Sequence, residues 1–324
     1  MLTATEKRER FRAVLARESL TVMPGGFSPL FAKMADELGF EGFFLAGSQM
    51  SAFLFGVPDL GILGLHDVVA HGAHAAGRTN IPIMLDCDTG YGNALNVHFA
   101  VGEIVRSGVA AMSLEDQEAP KKSATSAGRR TISREEAIGK LQAAVDARDA
   151  IDKSFVLCAR CDSLGAENEQ FSDALDRCIG YVTDGGADFV WLNSVETRAD
   201  LGTACREIPA PVLVIWGGAE EPEPTLSEYE DLGARIVLYP TIAASAATQA
   251  GWAILSGLRD GGQQGMASWK QALAEGTYGP ANQAQLLGTT ELRELEERFL
   301  PASAQRDYEH TWGHGPDRGP RVET

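Results

Sequence analysis

The stretch IPIMLDCD, residues 81–88, is an apolar run that closes on two carboxylates, Asp86 and Asp88, and the turn Gly90-Tyr91-Gly92 follows almost at once. Its unbroken apolar character is that of a strand covered on both faces, where a strand with one wet face would alternate. Side chains two apart on a strand share a face, so Asp86 and Asp88 are expected to point the same way. Two like charges side by side repel, and burial raises the cost. The pattern therefore asks for a positive charge between them.

Seven further runs of the same kind flank this one. They are LTVMPGG (20–26), GFFLAGS (42–48), VAAMSLED (109–116), SFVLCARCD (154–162), ADFVWLN (187–193), APVLVIW (210–216) and ARIVLYP (234–240). Helical patterns lie between them. SPLFAKMADELG (28–39) carries Ser28 as N-cap, Pro29 at N1 and Gly39 at the close. NVHFAVGEIVRSG (96–108), SREEAIGKLQAAVDARDAI (133–151), FSDALDRCIGYVTDGG (171–186) and TLSEYEDLG (225–233) follow the same grammar, and Ser133 with Glu136 spells a capping box. Eight β/α alternations predict an α/β fold, a (β/α)8 TIM barrel. A doubly wound sheet is the competing arrangement, weakened by the lack of a GxGxxG after the first strand. Residues 1–260 are expected to form the barrel and 261–324 a C-terminal helical extension with a loose tail. Helices are expected near 241–258, 265–275 and 289–300.

The chain has 324 residues, 28 basic against 45 acidic, for a formal net charge of −17. A chain so acidic, with no basic tract, is not expected to bind nucleic acid or an anionic membrane. No run of 18 apolar residues predicts a membrane span. The N-terminal pattern is amphipathic and charged, unlike a secretory signal, so a cytoplasmic location is expected. The five cysteines are odd in number and scattered, which is not a disulfide framework. The pair Cys158 and Cys161 sits inside an apolar run and reads as buried structural thiols.

Barrel enzymes build their sites at the C-terminal ends of the strands. Here those ends carry Ala46-Gly47-Ser48, Asp86 and Asp88, Glu115 and Asp116, Arg160 and Asp162, Asn193, and Tyr239-Pro240, with Asp59 in the loop after strand 2. Asp59, Asp86, Asp88 and Glu115 offer oxygen donors only, which suit Mg²⁺ or Mn²⁺ rather than zinc. Arg160 reads either as a bidentate clamp for a substrate carboxylate or as the partner of Asp162 or Glu115. Gly47 and Ser48 present backbone N–H groups suited to an oxyanion. The long segment 117–133 carries Lys121, Lys122, Arg129 and Arg130. It reads as a lid over the mouth or as a solvated basic loop.

Taken together, DCDTGYG, SLEDQEAPKK, ARCDS and LYP, with GVPDLGILGLHDVV (56–69), resemble the isocitrate lyase/phosphoenolpyruvate mutase superfamily over roughly residues 5–260. The resemblance implies Mg²⁺, a small 2-oxo or 2-hydroxy di- or tricarboxylate and a metal-stabilised enolate. It also implies a homodimer or homotetramer with the eighth helix exchanged between subunits. By position, Asp86 would bind the metal directly, with Asp88, Glu115 and Asp59 acting through water. Gly47 and Arg160 would bind the carboxylate, and Lys121 would be the gating-loop lysine. Read from their places at the strand ends rather than from the resemblance, Ala46, Ser48, Asn193 and Trp216 are further candidates for the substrate pocket. The resemblance breaks in the loop, where a Lys-Lys/Arg-Cys-Gly-His pattern is replaced by Lys121-Lys122-Ser123-Ala124-Thr125. It breaks again at Asn193, where the lyases carry Glu, and at Ile215 or Trp216, where they carry Asn. A serine hydroxyl is a poor acid near neutral pH, so Tyr91 becomes a candidate acid/base. The expectation is a carbon–carbon lyase, by aldol-type cleavage or decarboxylation. The alternatives are a phosphonopyruvate-type P–C mutase or hydrolase, and a non-catalytic α-keto acid binding protein.

Overall fold

A computed structural model describes residues 1–123, 126, 128–167, 170–217, 221–275, 283 and 285–305. Its centre is a closed parallel barrel of eight strands in sequence order, β1 pairing with both β2 and β8. The strands are β1 Thr21–Gly26, β2 Phe43–Leu45, β3 Ile83–Asp86, β4 Ala111–Glu115, β5 Val156–Cys161, β6 Phe189–Leu192, β7 Val212–Ile215 and β8 Ile236–Tyr239. Each expected run holds one strand, trimmed at its ends where ladder pairing stops and the connecting turns begin.

Two cores explain the unbroken apolar runs. Phe44, Met84, Cys158, Trp191, Leu213 and Leu238 fill the barrel interior. Their strand neighbours Leu45, Leu85, Ala159, Leu192, Val214 and Val237 face the helical layer. A barrel strand has no wet face, so neither side of it can be polar until its end. Cys158 and Cys161 fall on opposite faces of β5 and all five cysteines are free thiols. Gly25 is needed at the β1/β8 seam, because a Cβ there would meet the Pro240 carbonyl oxygen at 2.5 Å.

The expected helices form at Pro29–Glu37, Ala94–Arg106, Arg134–Asp149, Phe171–Thr183 and Leu226–Asp231. Ser28 and Ser133 cap theirs by accepting the N–H of the residue three positions on. One barrel helix, Arg198–Glu207, escapes the sequence reading because its polar face dominates its short span. The first helix, Ala4–Ala16, lies across the N-terminal ends of the strands and inserts Phe11 edge-on against Phe189.

The chain divides into two compact units, Met1–Ala253 and Ile254–Thr324. The helices expected at 241–258 and 265–275 are one helical stretch, Ile242–Glu275, interrupted at Gly262, whose φ of 48° leaves the helical range. A helix at Thr289–Phe299 matches the last expected one. Residues 306–324 lie outside the described residues, as do loop residues Ala124 and Thr125. No described helix is long and apolar enough to cross a membrane.

Candidate active site

The acids at the ends of β3 and β4 meet the loop after β2 in one buried cluster. Strand β3 stops at Asp86, and Asp88 sits in the turn with φ of 48°. Strand alternation is therefore not what brings Asp88 to the same side as Asp86. The left-handed turn does it, and both carboxylates converge on Gly47. A Cβ at Gly47 would meet Asp86 Oδ2 at 3.0 Å and Asp88 Oδ1 at 3.2 Å, so any side chain there would crowd both carboxylates. The Gly47 N–H donates to Asp86 Oδ2 at 2.9 Å, and Ser113 Oγ donates to Asp86 Oδ1 at 3.3 Å. Gly47 N–H is thus committed to orienting Asp86, where the sequence reading assigned it to an oxyanion.

A positive charge is present beside Asp88, and it is Lys121, although it pairs with Asp59 and Glu115 rather than with Asp86. Its Nζ lies 2.5 Å from Asp88 Oδ1, 2.9 Å from Asp59 Oδ1 and 3.9 Å from Glu115 Oε1. Burial favours the neutral amine, but Glu115, Asp86, Asp88 and Asp59 outweigh it and hold the Lys121 pKa above its ordinary value. The acids around Lys121 thus favour its ammonium form. Burial pushes Asp88 up to about 6, against the lowering pull of Lys121 and with a further push from Asp86. Burial also pushes Glu115 well up, opposed by Arg160 and Lys121. Gln117 Nε2 donates to Glu115 Oε1 at 3.2 Å and its Oε1 accepts the Lys122 N–H at 3.0 Å, which ties the start of the loop to the acid.

A second cluster adjoins the first through Glu115. Arg160 is buried with its guanidinium 4.4 Å above the Trp191 ring. Its Nε and Nη2 grip Asp162 at 2.7 and 3.1 Å, and Nη1 reaches Glu115 Oε2 at 3.2 Å. The salt-bridge reading of Arg160 is the arrangement observed. Asn193 Nδ2 donates to Asp162 Oδ1 at 2.5 Å. The position where lyases were expected to carry Glu thus holds a neutral donor beside a buried carboxylate. Arg129 is also buried, donating to the Leu164 carbonyl and, at 3.0 Å, to Ser194 Oγ. Two of the four loop cations, Lys121 and Arg129, are consequently structural partners rather than solvated charges.

Other expected residues go elsewhere. Tyr91 packs on the helical-layer core, its hydroxyl beside the Cys87 thiol. Burial, then the Cys87 interaction, raises its pKa well above the ordinary phenol value. The charges of Asp88 and Asp86 raise it further, but among the described residues no hydrogen bond joins Tyr91 to the acids, because Cys87, just past the end of β3, points into the helical-layer core. Ala46 is buried in the barrel interior, its N–H donating to the Gly26 carbonyl. Ser48 lines a cavity of about 530 Å³ with Gln49, Phe53, Thr241 and Trp252, and none of the four acids lines that cavity. Trp216 is half-exposed and stacks on Tyr239 at 5.2 Å, and it is Ile215, one residue before, that packs against the interior core.

The family whose description is phosphoenolpyruvate phosphomutase matches residues 11–258. The chain belongs to that family. The 2,3-dimethylmalate lyase of Eubacterium barkeri is 35% identical over 251 residues, covering 77% of this chain and 84% of that one. The structure of oxaloacetate acetylhydrolase in complex with the inhibitor 3,3-difluorooxalacetate has a TM-score of 0.82 at 28% identity, covering 92% of this chain and 98% of that one. The structure of phosphonopyruvate hydrolase with oxalate and Mg²⁺ has a TM-score of 0.78 at 28% identity, covering 91% and 99%.

For a phosphoenolpyruvate phosphomutase family member, the fit of the acid cluster to a hard cation matters. Among the described residues no group of three His, Cys, Asp or Glu side chains is gathered so as to hold a cation alone. The expected set of Asp86, Asp88 and Glu115 is spread because the Lys121 ammonium stands between Asp59, Asp88 and Glu115. The donor chemistry nevertheless fits Mg²⁺, which takes one or two carboxylates directly and keeps water on the rest. Asp86 suits direct binding best. Its carboxylate is oriented by the neutral donors Gly47 and Ser113, and no ion pair with Lys121 is formed. Ser113 and Gln117 are site residues that sequence reasoning missed. Ser113 lies two positions before Glu115 on β4 and so shares its face, which was the available signal.

Proposed function

We propose that this chain is a Mg²⁺-dependent carbon–carbon lyase acting on a small 2-oxo or 2-hydroxy di- or tricarboxylate. The observation that carries this reading is the cluster itself: five carboxylates, Asp59, Asp86, Asp88, Glu115 and Asp162, are gathered around three cations, Lys121, Arg160 and Arg129. Such an excess of buried negative charge is costly and favours uptake of a small cation. The likeness to 2,3-dimethylmalate lyase, and to a hydrolase structure that holds oxalate and Mg²⁺, supports the same reading.

Loss of carbon dioxide from a 3-carboxy-2-oxo acid leaves the electron pair on the 2-oxo fragment as an enolate, which then takes a proton at C3, whereas aldol-type cleavage of a 2-hydroxy acid loses the hydroxyl proton and leaves the pair on the other fragment. A divalent cation held by Asp86 would supply positive charge to the enolate oxygen. Arg160, its plane set by Asp162 and Trp191, would hold the substrate carboxylate through N–H groups not facing Asp162. Lys121 would stay protonated and contribute charge. The loop thiol expected from the resemblance is Ser123 here, so the departing fragment would not take its proton from a thiol. That departure favours a substrate whose leaving group needs no strong acid, such as the carbon dioxide lost in a decarboxylation.

The test is ¹H and ³¹P NMR of the purified protein with 2,3-dimethylmalate, 2-methylisocitrate, oxaloacetate and phosphonopyruvate separately, with Mg²⁺ and with a chelator. Mg²⁺-dependent loss of one carboxylate substrate with a C–C cleavage product is expected. A phosphorus product from phosphonopyruvate would replace the reading by P–C chemistry, and no turnover of the panel would remove it.

A further inference from the structure

Lys121 does more than answer the repulsion between acids. It is fully enclosed, its side chain 1% exposed, and its ammonium touches acids from three separate segments: Asp59 after β2, Asp88 after β3 and Glu115 at the end of β4. Its stem packs against Gly61, where a Cβ would stand 3.5 Å from Lys121 Cγ, and Gly61 has a φ of 68° that favours glycine. The β2 loop is thereby folded over the lysine. The lysine's own segment is fastened by Gln117, whose side chain bridges Glu115 and the Lys122 N–H. This is a built position, not a surface lysine resting on an acid patch.

We propose that Lys121 is a built-in counter-cation that competes with a divalent metal for Asp59, Asp88 and Glu115, and so sets the metal affinity of the site. The inference rests on the metal reading above and deepens it. Three of the four candidate acids already hold a positive charge, and the fourth, Asp86, shares its site with Asp88 across Gly47. A cation entering at Asp86 would therefore be repelled by the ammonium that Asp88, its neighbour across Gly47, already holds. Like charges close together in a buried site repel by more than thermal energy even when effective screening is strong. Part of the free energy of metal binding is then spent against Lys121. The gain is that the site keeps its shape without metal, because the acids are not left facing one another. Removing the ammonium should produce a site that binds metal more tightly and depends on metal for its stability.

The experiment compares wild type with Lys121→Met, loading Mn²⁺ as the probe and following it by electron paramagnetic resonance, with thermal unfolding measured with and without Mg²⁺. Mn²⁺ binding about tenfold or more tighter in the variant is expected, together with a lower Tm without metal and a larger upward shift on adding Mg²⁺. Lys121→Gln, prepared in Mg²⁺, serves where the Met variant fails to fold, and the same tightening is expected of it. Equal or weaker Mn²⁺ affinity in the variants would overturn the competition while leaving the metal reading in place. No Mn²⁺ binding in either wild type or variant would overturn both.

Discussion

The two ends of the barrel both bury charge, but they balance it differently. At the N-terminal end, cations are matched by fixed acceptors. Arg8 donates to the Val105 and Val109 carbonyls and pairs with Asp152 at 2.6 Å. Arg12 pairs with Asp188 at 3.0 Å and donates to the Ser154 and Phe155 carbonyls, and Lys7 Nζ donates to the Ala76 carbonyl at 2.5 Å. Two of these carbonyls, those of Val105 and Ala76, lie in the last turn of a helix, where the dipole favours a cation. At the C-terminal end, carboxylates outnumber cations, and burial pushes Asp88 and Glu115 up despite Lys121 and Arg160. The first arrangement stabilises the fold. The second holds unrelieved charge in a fixed geometry, which costs stability and suits a ligand of opposite sign.

This contrast can be broken most sharply at the mouth. Asp86→Ala is expected to lower kcat by at least about a thousandfold, with a Tm at or above that of wild type, because a repelling carboxylate is removed. A large Tm loss measured by calorimetry would place Asp86 among the stabilising charges instead. The base should behave the opposite way. Arg8→Ala strips the buried carbonyls and Asp152 of their donor, and denaturant unfolding should show a loss of about 3 kcal/mol, while turnover per folded molecule stays unchanged.

Arg160→Lys sharpens the comparison within the mouth. A lysine cannot grip Asp162 and a substrate carboxylate at once, so KM should rise by about ten- to a hundredfold with a smaller change in kcat, as steady-state kinetics would report. The smallest effect belongs to Asp152. Its burial raises the carboxyl pKa, but hydrogen bonds from Ser154, Arg8 and Thr5 outweigh this and hold it down at about 2. A depressed folded pKa contributes stability that is fully present above the unfolded value, near 3.8, and is lost as pH falls through about 2. Asp152→Asn should therefore destabilise by about 1 kcal/mol at neutral pH, after allowing for solvent screening. Its acid unfolding arm should also be flatter between those pH values.

The legible and illegible parts of this molecule divide along the range of the forces involved. Eight apolar runs, five of them ending in polar residues, identify the barrel, because a strand covered on both faces and a helix cap are written within a few neighbouring residues. The placement of Asp86, Glu115 and Arg160 at strand ends follows from the same local signal. What could not be read was pairing. Tyr91 is next to the acids in sequence but turns outward with Cys87, because the strand ends and the chain passes through left-handed residues at Asp88 and Tyr91. Gly47 looked like an oxyanion donor, and only the β2–β3 pairing shows its N–H committed to Asp86.

The sequence by itself determined the (β/α)8 architecture and the acidic character of its mouth, since both arise from residue type and short-range periodicity. Only the tertiary structure decided that Lys121 supplies the positive charge beside Asp88 and that Asn193 and Asp162 hold Arg160. Those partners come from separate β/α units, and the parallel pairing of β2 through β6 is what sets their ends side by side.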